Sequence, residues 1–308
     1  MDSLRKFAVV TAAAAVTATV FLFGAPRSAA APFATLGVFP RLAGDVQHDV
    51  KIHFSTVTLP AKVHFETAWG INDAGAIVGT YYDSSNAEHG YMYANATLTN
   101  IDDPNGTNTQ ALSINDNGEV AGAYTRPSGQ NHGFVEENGV FTDVGPPGLS
   151  AANGINKEGV VVGVYSTCLS CKEQGFIFAR HHYTTVNVPG AAGTTISVIN
   201  NKNIMGVIAY NAQAIYHSYL YDGKTFTKID VPGATDSYIE GVNDQGDIAF
   251  SWDNHKNPQG AALFHNGKFT FFSVGRAETY VGELANDRTF VGTAINVKQK
   301  YHIYEATY

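Results

Sequence analysis

Short apolar runs separated by polar turns occupy most of the chain, and stretches with helical spacing are scarce. The pattern is clearest at residues 70–81, Gly-Ile-Asn-Asp-Ala-Gly-Ala-Ile-Val-Gly-Thr-Tyr, and some version of it occurs six times. Asn72, Asn115, Asn156, Asn200, Asn243 and Asn286 mark the copies at spacings of 43, 41, 44, 43 and 43 residues. A second set of markers, Pro60, Pro104, Pro147, Pro189, Pro232 and then Gly275, steps by 44, 43, 42, 43 and 43. Periods of this length indicate propeller blades or solenoid repeats, whose units bury their faces only against neighbours.

Each unit reads as four strands. In the first copy the runs are 68–71, 76–81 and 90–93, and the fourth is clearest at 226–231, Phe-Thr-Lys-Ile-Asp-Val, ended by Pro232. Between the first two runs, Asn72-Asp73-Ala74-Gly75 has the composition of a tight hairpin turn. The turns at Asn200 and Asn286 read as one residue shorter. The fourth-strand pattern first occurs at 54–60, before any Asn-Asp turn, and the last unit stops after its third run, at 303–308. Two incomplete ends that together make one unit predict an all-β, six-bladed β-propeller over 51–308. It has four antiparallel strands per blade, and an N-terminal strand closes the last blade. An open β-solenoid is the alternative, although it has no reason to leave complementary ends.

Charge changes the list of partners. With 27 acidic against 19 basic residues the net charge is -8, which leaves no basic surface for a nucleic-acid backbone. Arg5 and Lys6, an apolar run from 8 to 23, and Ser28-Ala29-Ala30 have the form of a signal peptide over 1–30 cleaved after Ala30. Cleavage after Ala31 satisfies the same rule but leaves Pro32 first. Residues 31–50 carry no repeat and read as a leader or latch. No membrane span follows, so the mature chain is expected to be a secreted or periplasmic monomer. Cys168 and Cys171 are the only cysteines, and in an oxidising compartment they are expected to form a local disulfide.

Gly70-Ile71-Asn72-Asp73-Ala74-Gly75-Ala76-Ile77-Val78-Gly79, followed by His89-Gly90-Tyr91, resembles the HAF-type extracellular repeat, as does His132-Gly133-Phe134 in the second unit. Gly stands where the namesake His-Ala-Phe tripeptide has Ala, and later units drift further. The resemblance covers about residues 51–308 and implies export and a repeat architecture, without any catalytic residue to carry over.

Several positions could carry chemistry. The repeated Asn-Asp-x-Gly suggests calcium, but one such turn is too short to encircle a cation and lacks the alternating acids of a calcium loop. His89, His132, Gln174, His217, Gln259 and His302 open the six third strands. A hydrogen bond to the next blade's backbone is expected there, rather than a metal ring, because third strands lie away from the axis. Three residues before each marker stand Trp69, Leu112, Asn153, Ser197, Glu240 and Glu283. In a propeller these belong to the innermost strand. Glu240 and Glu283, on adjacent blades, are the candidate acid and base of a glycoside hydrolase, with Trp69 and Asn153 as sugar contacts. Strand parity instead places this position beside Ile71 and Val242, packed between blades.

Nucleophile elbows, zinc-protease helices and phosphate loops are absent from the sequence. Loops that differ from blade to blade are polar with scattered Tyr and Trp, which suits recognition. The reading is a non-catalytic binding module for a glycan or an envelope protein, with no cofactor. A polysaccharide hydrolase or lyase using the channel carboxylates, and a structural or adhesive repeat protein, are the alternatives.

Overall fold

A computed structural model describes residues 50–308 apart from 61–63, 256–259, 276, 297 and 299. The signal-like segment 1–30 and residues 31–49 lie outside the described residues, as does Gln259. Among the described residues, twenty-four strands form six four-stranded antiparallel sheets. In blade 1 the order from the inside is His64–Ile71, Ile77–Tyr82, Glu88–Ala94 and Thr97–Ile101. The sixth sheet consists of Glu278–Leu284, Thr289–Ile295 and Tyr301–Thr307, with His53–Val57 as its outer strand. His53 pairs with Thr307 and Val57 with Ile303, so the ring closes through the N-terminal strand.

The core lies between blades, and a size exchange builds it. Tyr91, Phe134 and Phe176 on third strands are fully buried, and each pairs across the sheet with a second-strand glycine, Gly79, Gly122 or Gly163. In blade 5 the sizes are reversed, with Phe250 on the second strand opposite Ala262. A Cβ on Gly79 would lie 1.9 Å from the Thr67 carbonyl oxygen and 2.8 Å from the Tyr91 hydroxyl. Gly79, the last glycine of the repeat, therefore permits a close approach of inner strand and aromatic ring.

The marker Asn serves two blades. Its Oδ1 accepts from the amides two and four residues on, Ala74 at 3.1 Å and Ala76 at 3.0 Å in blade 1, and so holds its own turn. Its Nδ2 donates to the carbonyl of the next marker: Asn72 to Asn115 at 3.0 Å, Asn115 to Asn156 at 2.9 Å, Asn156 to Asn200 at 3.3 Å and Asn200 to Asn243 at 2.9 Å. Asn200→Ala should cost about 2–3 kcal/mol in denaturant unfolding, since it leaves one buried carbonyl and two turn amides unpaired. A variant as stable as the parent would contradict the staple.

Two turn assignments are corrected. The turn at Asn200 is full length, with Asn203 at φ 61° in the place of Gly75 at φ 75°. In the sixth unit the turn bonds run from Ala285 to Thr289 and from Arg288 back to Ala285, so Ala285 is the counterpart of Asn72 and Asn286 that of Asp73. An Asn one place too late had hidden this shift. Because Gly75 holds a left-handed φ, Gly75→Ala should lower stability by about 1 kcal/mol, and an unchanged melting temperature would contradict the turn geometry.

Candidate functional site

A register shift interrupts every inner strand, between Ala68 and Gly70, Ala111 and Ser113, Ala152 and Gly154, Ile196 and Val198, Ile239 and Gly241, and Val281 and Leu284. In the first five blades the extra residue is the one three places before the marker. A bulge re-aims its side chain, so that Trp69, Leu112, Asn153, Ser197 and Glu240 all line one axial void. Leu112 and Trp69 also pack in a cluster with Leu149, Ala151 and Val164 of blade 3, and Asn153 and Ser197 donate to the following blade's backbone. Gly282 takes the sixth place. Glu283 follows it, in the position that Gly70, Ser113, Gly154, Val198 and Gly241 hold elsewhere.

The channel they line is almost filled. Its void is about 10 Å³, room for about one water molecule. Glu283 reaches across toward blades 1 and 2, where Ser113 Oγ donates to Oε1 at 2.5 Å and the amides of Ile71 and Ile114 also donate to the carboxylate. Ser113 Oγ in turn accepts from the Ile155 amide at 3.1 Å. Burial pushes the Glu283 carboxyl up to about 8 against the pull of these donors. Glu240 is 8% exposed and also pushed up to about 8, by burial alone. The buried Oδ1 of Asn153 has no partner, while its Nδ2 donates to the Ile196 carbonyl at 3.1 Å. No sugar ring fits between Glu240 and Glu283. Trp69, Asn153, Glu240 and Glu283 all line this nearly filled channel, whose void is far smaller than a sugar ring.

At the turn face, the six turns surround a funnel of about 50 Å³ whose lining includes Asp73, Asp116, Asn201, Asp244 and Asn286, with Glu283 at its floor. These side chains mostly tie turn to turn. Asp73 N donates to Asp116 Oδ1 at 3.0 Å, Lys157 N to Asn201 Oδ1 at 2.9 Å and Asp244 N to Asn286 Oδ1 at 2.8 Å. Among the described residues, no group of three or more His, Cys, Asp or Glu side chains is placed to hold a metal ion.

The third-strand histidines bond mainly within their own blades. His89 Nδ1 lies 2.9 Å from Asp102 and His217 Nδ1 2.7 Å from Asp230, each acid at the end of the outer strand of the same sheet. Only His132 reaches the next blade, through the Ser150 hydroxyl at 3.2 Å and the Gly148 backbone. The expected histidine-to-backbone bond is thus the exception. Cys168 and Cys171 are disulfide-bonded, and the Ser166 hydroxyl donates to both of their carbonyls.

Antiparallel order sends the loops between second and third strands and those between blades to the face opposite the turns. There aromatic and acidic side chains stand beside one another on neighbouring blades. The rings of Tyr210 and Tyr216 are 5.3 Å apart, as are those of Tyr216 and Tyr238. Glu173 stands beside the first pair and Asp236 beside the second. Asp253 lies near Tyr238 and buried Tyr280, and Glu278 near Tyr280 and Tyr301. Tyr82, close to Tyr301, bonds Glu88, which also accepts from Gln110 Nε2 at 2.8 Å. Burial first, and then these carboxylates, push the phenol pKa values up, so the tyrosines stay neutral. Tyr82, Tyr210, Tyr216, Tyr238 and Tyr301 all keep part of their surface in solvent. Sequence reasoning pointed to these loops without singling out this set. The signal was available, since Glu88, Glu173, Tyr216 and Tyr301 all directly precede the third-strand His or Gln.

Fold and mouth together define a closed-channel, six-bladed β-propeller with an aromatic and acidic loop face. No protein-family model matches the chain, and no curated protein matches it. Solved structures do. TolB from Acinetobacter baumannii superposes with a TM-score of 0.54 at 8% identity over 76% of this chain, which spans 64% of that protein's length. The β-propeller domain of the Trilobed protease from Pyrococcus furiosus, described as having an open velcro topology, gives 0.53 at 10% identity, covering 80% of this chain and 79% of that one. The fucose-recognising lectin of Aleuria aurantia, a six-bladed propeller, gives 0.50 at 10% identity, covering 79% and 91%. At these identities the likeness concerns the fold alone.

Proposed function

We propose that this protein is a secreted, HAF-type repeat propeller that binds a glycan, without catalysis, through the loop face. The observation that carries the reading is the contact row Tyr210, Tyr216 and Tyr238 beside Glu173 and Asp236, at a mouth whose channel is closed. Tyrosine rings offer flat apolar faces for sugar C–H groups, and the carboxylate of Asp236 fixes the row from behind by accepting from the Tyr216 amide at 2.9 Å. Glycan recognition also occurs on this architecture, in the fucose-recognising lectin. Export follows from the signal-like first thirty residues, and no helix among the described residues is long and apolar enough to cross a membrane. A glycan array probed with the secreted chain should retain one class of sugars, and Tyr216→Ala should weaken that retention at least tenfold. A blank array would refute glycan binding, and undiminished retention by the variant would refute the site.

A further inference from the structure

Among the described residues, five histidines lie beside a carboxylate, and one of them differs from the rest. The side chains of His89, His132, His217 and His265 are shielded, with 24%, 8%, 28% and 13% of their surface exposed, whereas His255 keeps 59%. Yet His255 is firmly tied. Its Nε2 lies 2.5 Å from Asp236 Oδ2, and its backbone, at φ 58°, is held by its amide donating to Asp253 Oδ1 at 2.5 Å. Asp236 is 5% exposed, and its Oδ1 accepts from the Tyr216 amide at 2.9 Å. One buried carboxylate thus positions both this imidazole and the middle tyrosine of the row. The repeat does not require the pair, since the same inner-strand place holds Asn108, Leu149, Gly193 and Glu278 in blades 2, 3, 4 and 6. A side chain this open buries little surface on folding, so holding it still favours a contact outside the chain, whose ordering cost is met in advance.

We propose, on the premise that the loop face binds a glycan, that His255 contacts it and selects a neutral sugar through one of its hydroxyls. A carboxylate oxygen accepts, so the ring nitrogen that meets Asp236 Oδ2 carries the hydrogen. In the neutral ring this leaves Nδ1 as an acceptor, and no group among the described residues meets it. A sugar stacked on the Tyr216 and Tyr238 rings carries its hydroxyls at its edge, and one of them donates to Nδ1. A sugar carboxylate or sulfate has no hydrogen to give at that point and meets the lone pair instead, which excludes acidic sugars.

The test is an array of neutral, uronic-acid and sulfated oligosaccharides probed with the full secreted chain at pH 8, above the range in which imidazoles ordinarily protonate. The parent should retain neutral glycans, and His255→Ala should weaken them about fivefold to tenfold, the worth of one hydrogen bond. Asp236→Asn is the sharper variant. Its amide oxygen still accepts from Tyr216, but its NH2 group donates to His255 Nε2, so the ring hydrogen moves to Nδ1 and the acceptor becomes a donor. Neutral glycans should stay bound, because a hydroxyl turns to accept, while retention of uronic-acid and sulfated glycans should rise about fivefold. Adding His255→Ala to Asp236→Asn should abolish that rise, which separates the turned ring from the loss of one negative charge. Circular dichroism and melting temperature check the fold of each variant. Undiminished retention by His255→Ala, an Asp236→Asn variant with the parent's selectivity, or a parent that retains acidic glycans only overturns the contact and leaves the glycan reading standing. A blank array overturns both.

Discussion

Glu283→Ala is expected to lower the melting temperature by about 10 °C. This one side chain of blade 6 ties to blades 1 and 2 directly and to blade 3 through Ser113, since it accepts from Ser113, Ile71 and Ile114 while Ser113 accepts from Ile155. Removing it strands a hydroxyl and two amides in the channel and leaves a void, a loss of about 3–5 kcal/mol. For a chain of this size each kcal/mol is worth roughly 2–4 °C. The sixth blade departs from the others here, with an acid in place of Gly, Ser or Val. A Cβ on facing Gly70 would stand 2.8 Å from Glu283 Oε2, so blade 1 must stay bare for the acid to fit. Differential scanning calorimetry checks the value, and a shift below about 2 °C would mean that Glu283 does not hold the ring together.

The second large effect is a dependence on pH with an unusual sign. Most carboxylates in folded proteins are held low and stabilise the fold as pH rises, but Glu240 and Glu283 are both pushed up to about 8. Between the unfolded value near 4.5 and the folded one, the native state binds more protons than the unfolded chain. Stability therefore falls as pH rises through that window, by up to roughly 1.4 kcal/mol per pH unit for each group, and levels off above it. Asp83, held down to about 2 by Ser85 and the Ala87 amide, titrates below the window and does not offset the trend. Chemical denaturation from pH 5 to 9 should show a loss of several kcal/mol. Glu240→Gln, a neutral copy of the protonated form, should flatten the slope and be more stable than the parent at pH 9. A parent that gains stability over this range would contradict the burial of these acids.

Much of the fold was legible because repetition multiplies weak signals. One Asn-Asp-x-Gly turn is ambiguous, whereas six at a steady period, with complementary ends at Phe54 and Tyr308, specify blades and closure. The sixth register failed for a physical reason: Asn286 resembles the marker, but the backbone bonds centre on Ala285, and the ties to Asp73 come from Asn286 instead. Five of the residues three places before a marker line the axial void, and Gly282 takes the sixth place because the sixth marker is Ala285. A bulge adds a residue without changing composition, so alternation cannot detect it. The channel's contents were not legible, because how far six side chains fill a pore depends on blade tilt and on Glu283 crossing it. The loop face was legible as a region only. Tyr210, Tyr216 and Tyr238 lie up to 28 residues apart in sequence and meet through the packing of blade 4 on blade 5.

Binding at the loop face, with a channel that serves only to hold the blades, is tested most directly by titrating the strongest array glycan into three proteins under one condition. The parent and Glu240→Gln should bind with the same affinity, and Tyr216→Ala at least tenfold more weakly. Loss of binding in Glu240→Gln with full affinity in Tyr216→Ala would place the ligand in the channel and contradict the assignment.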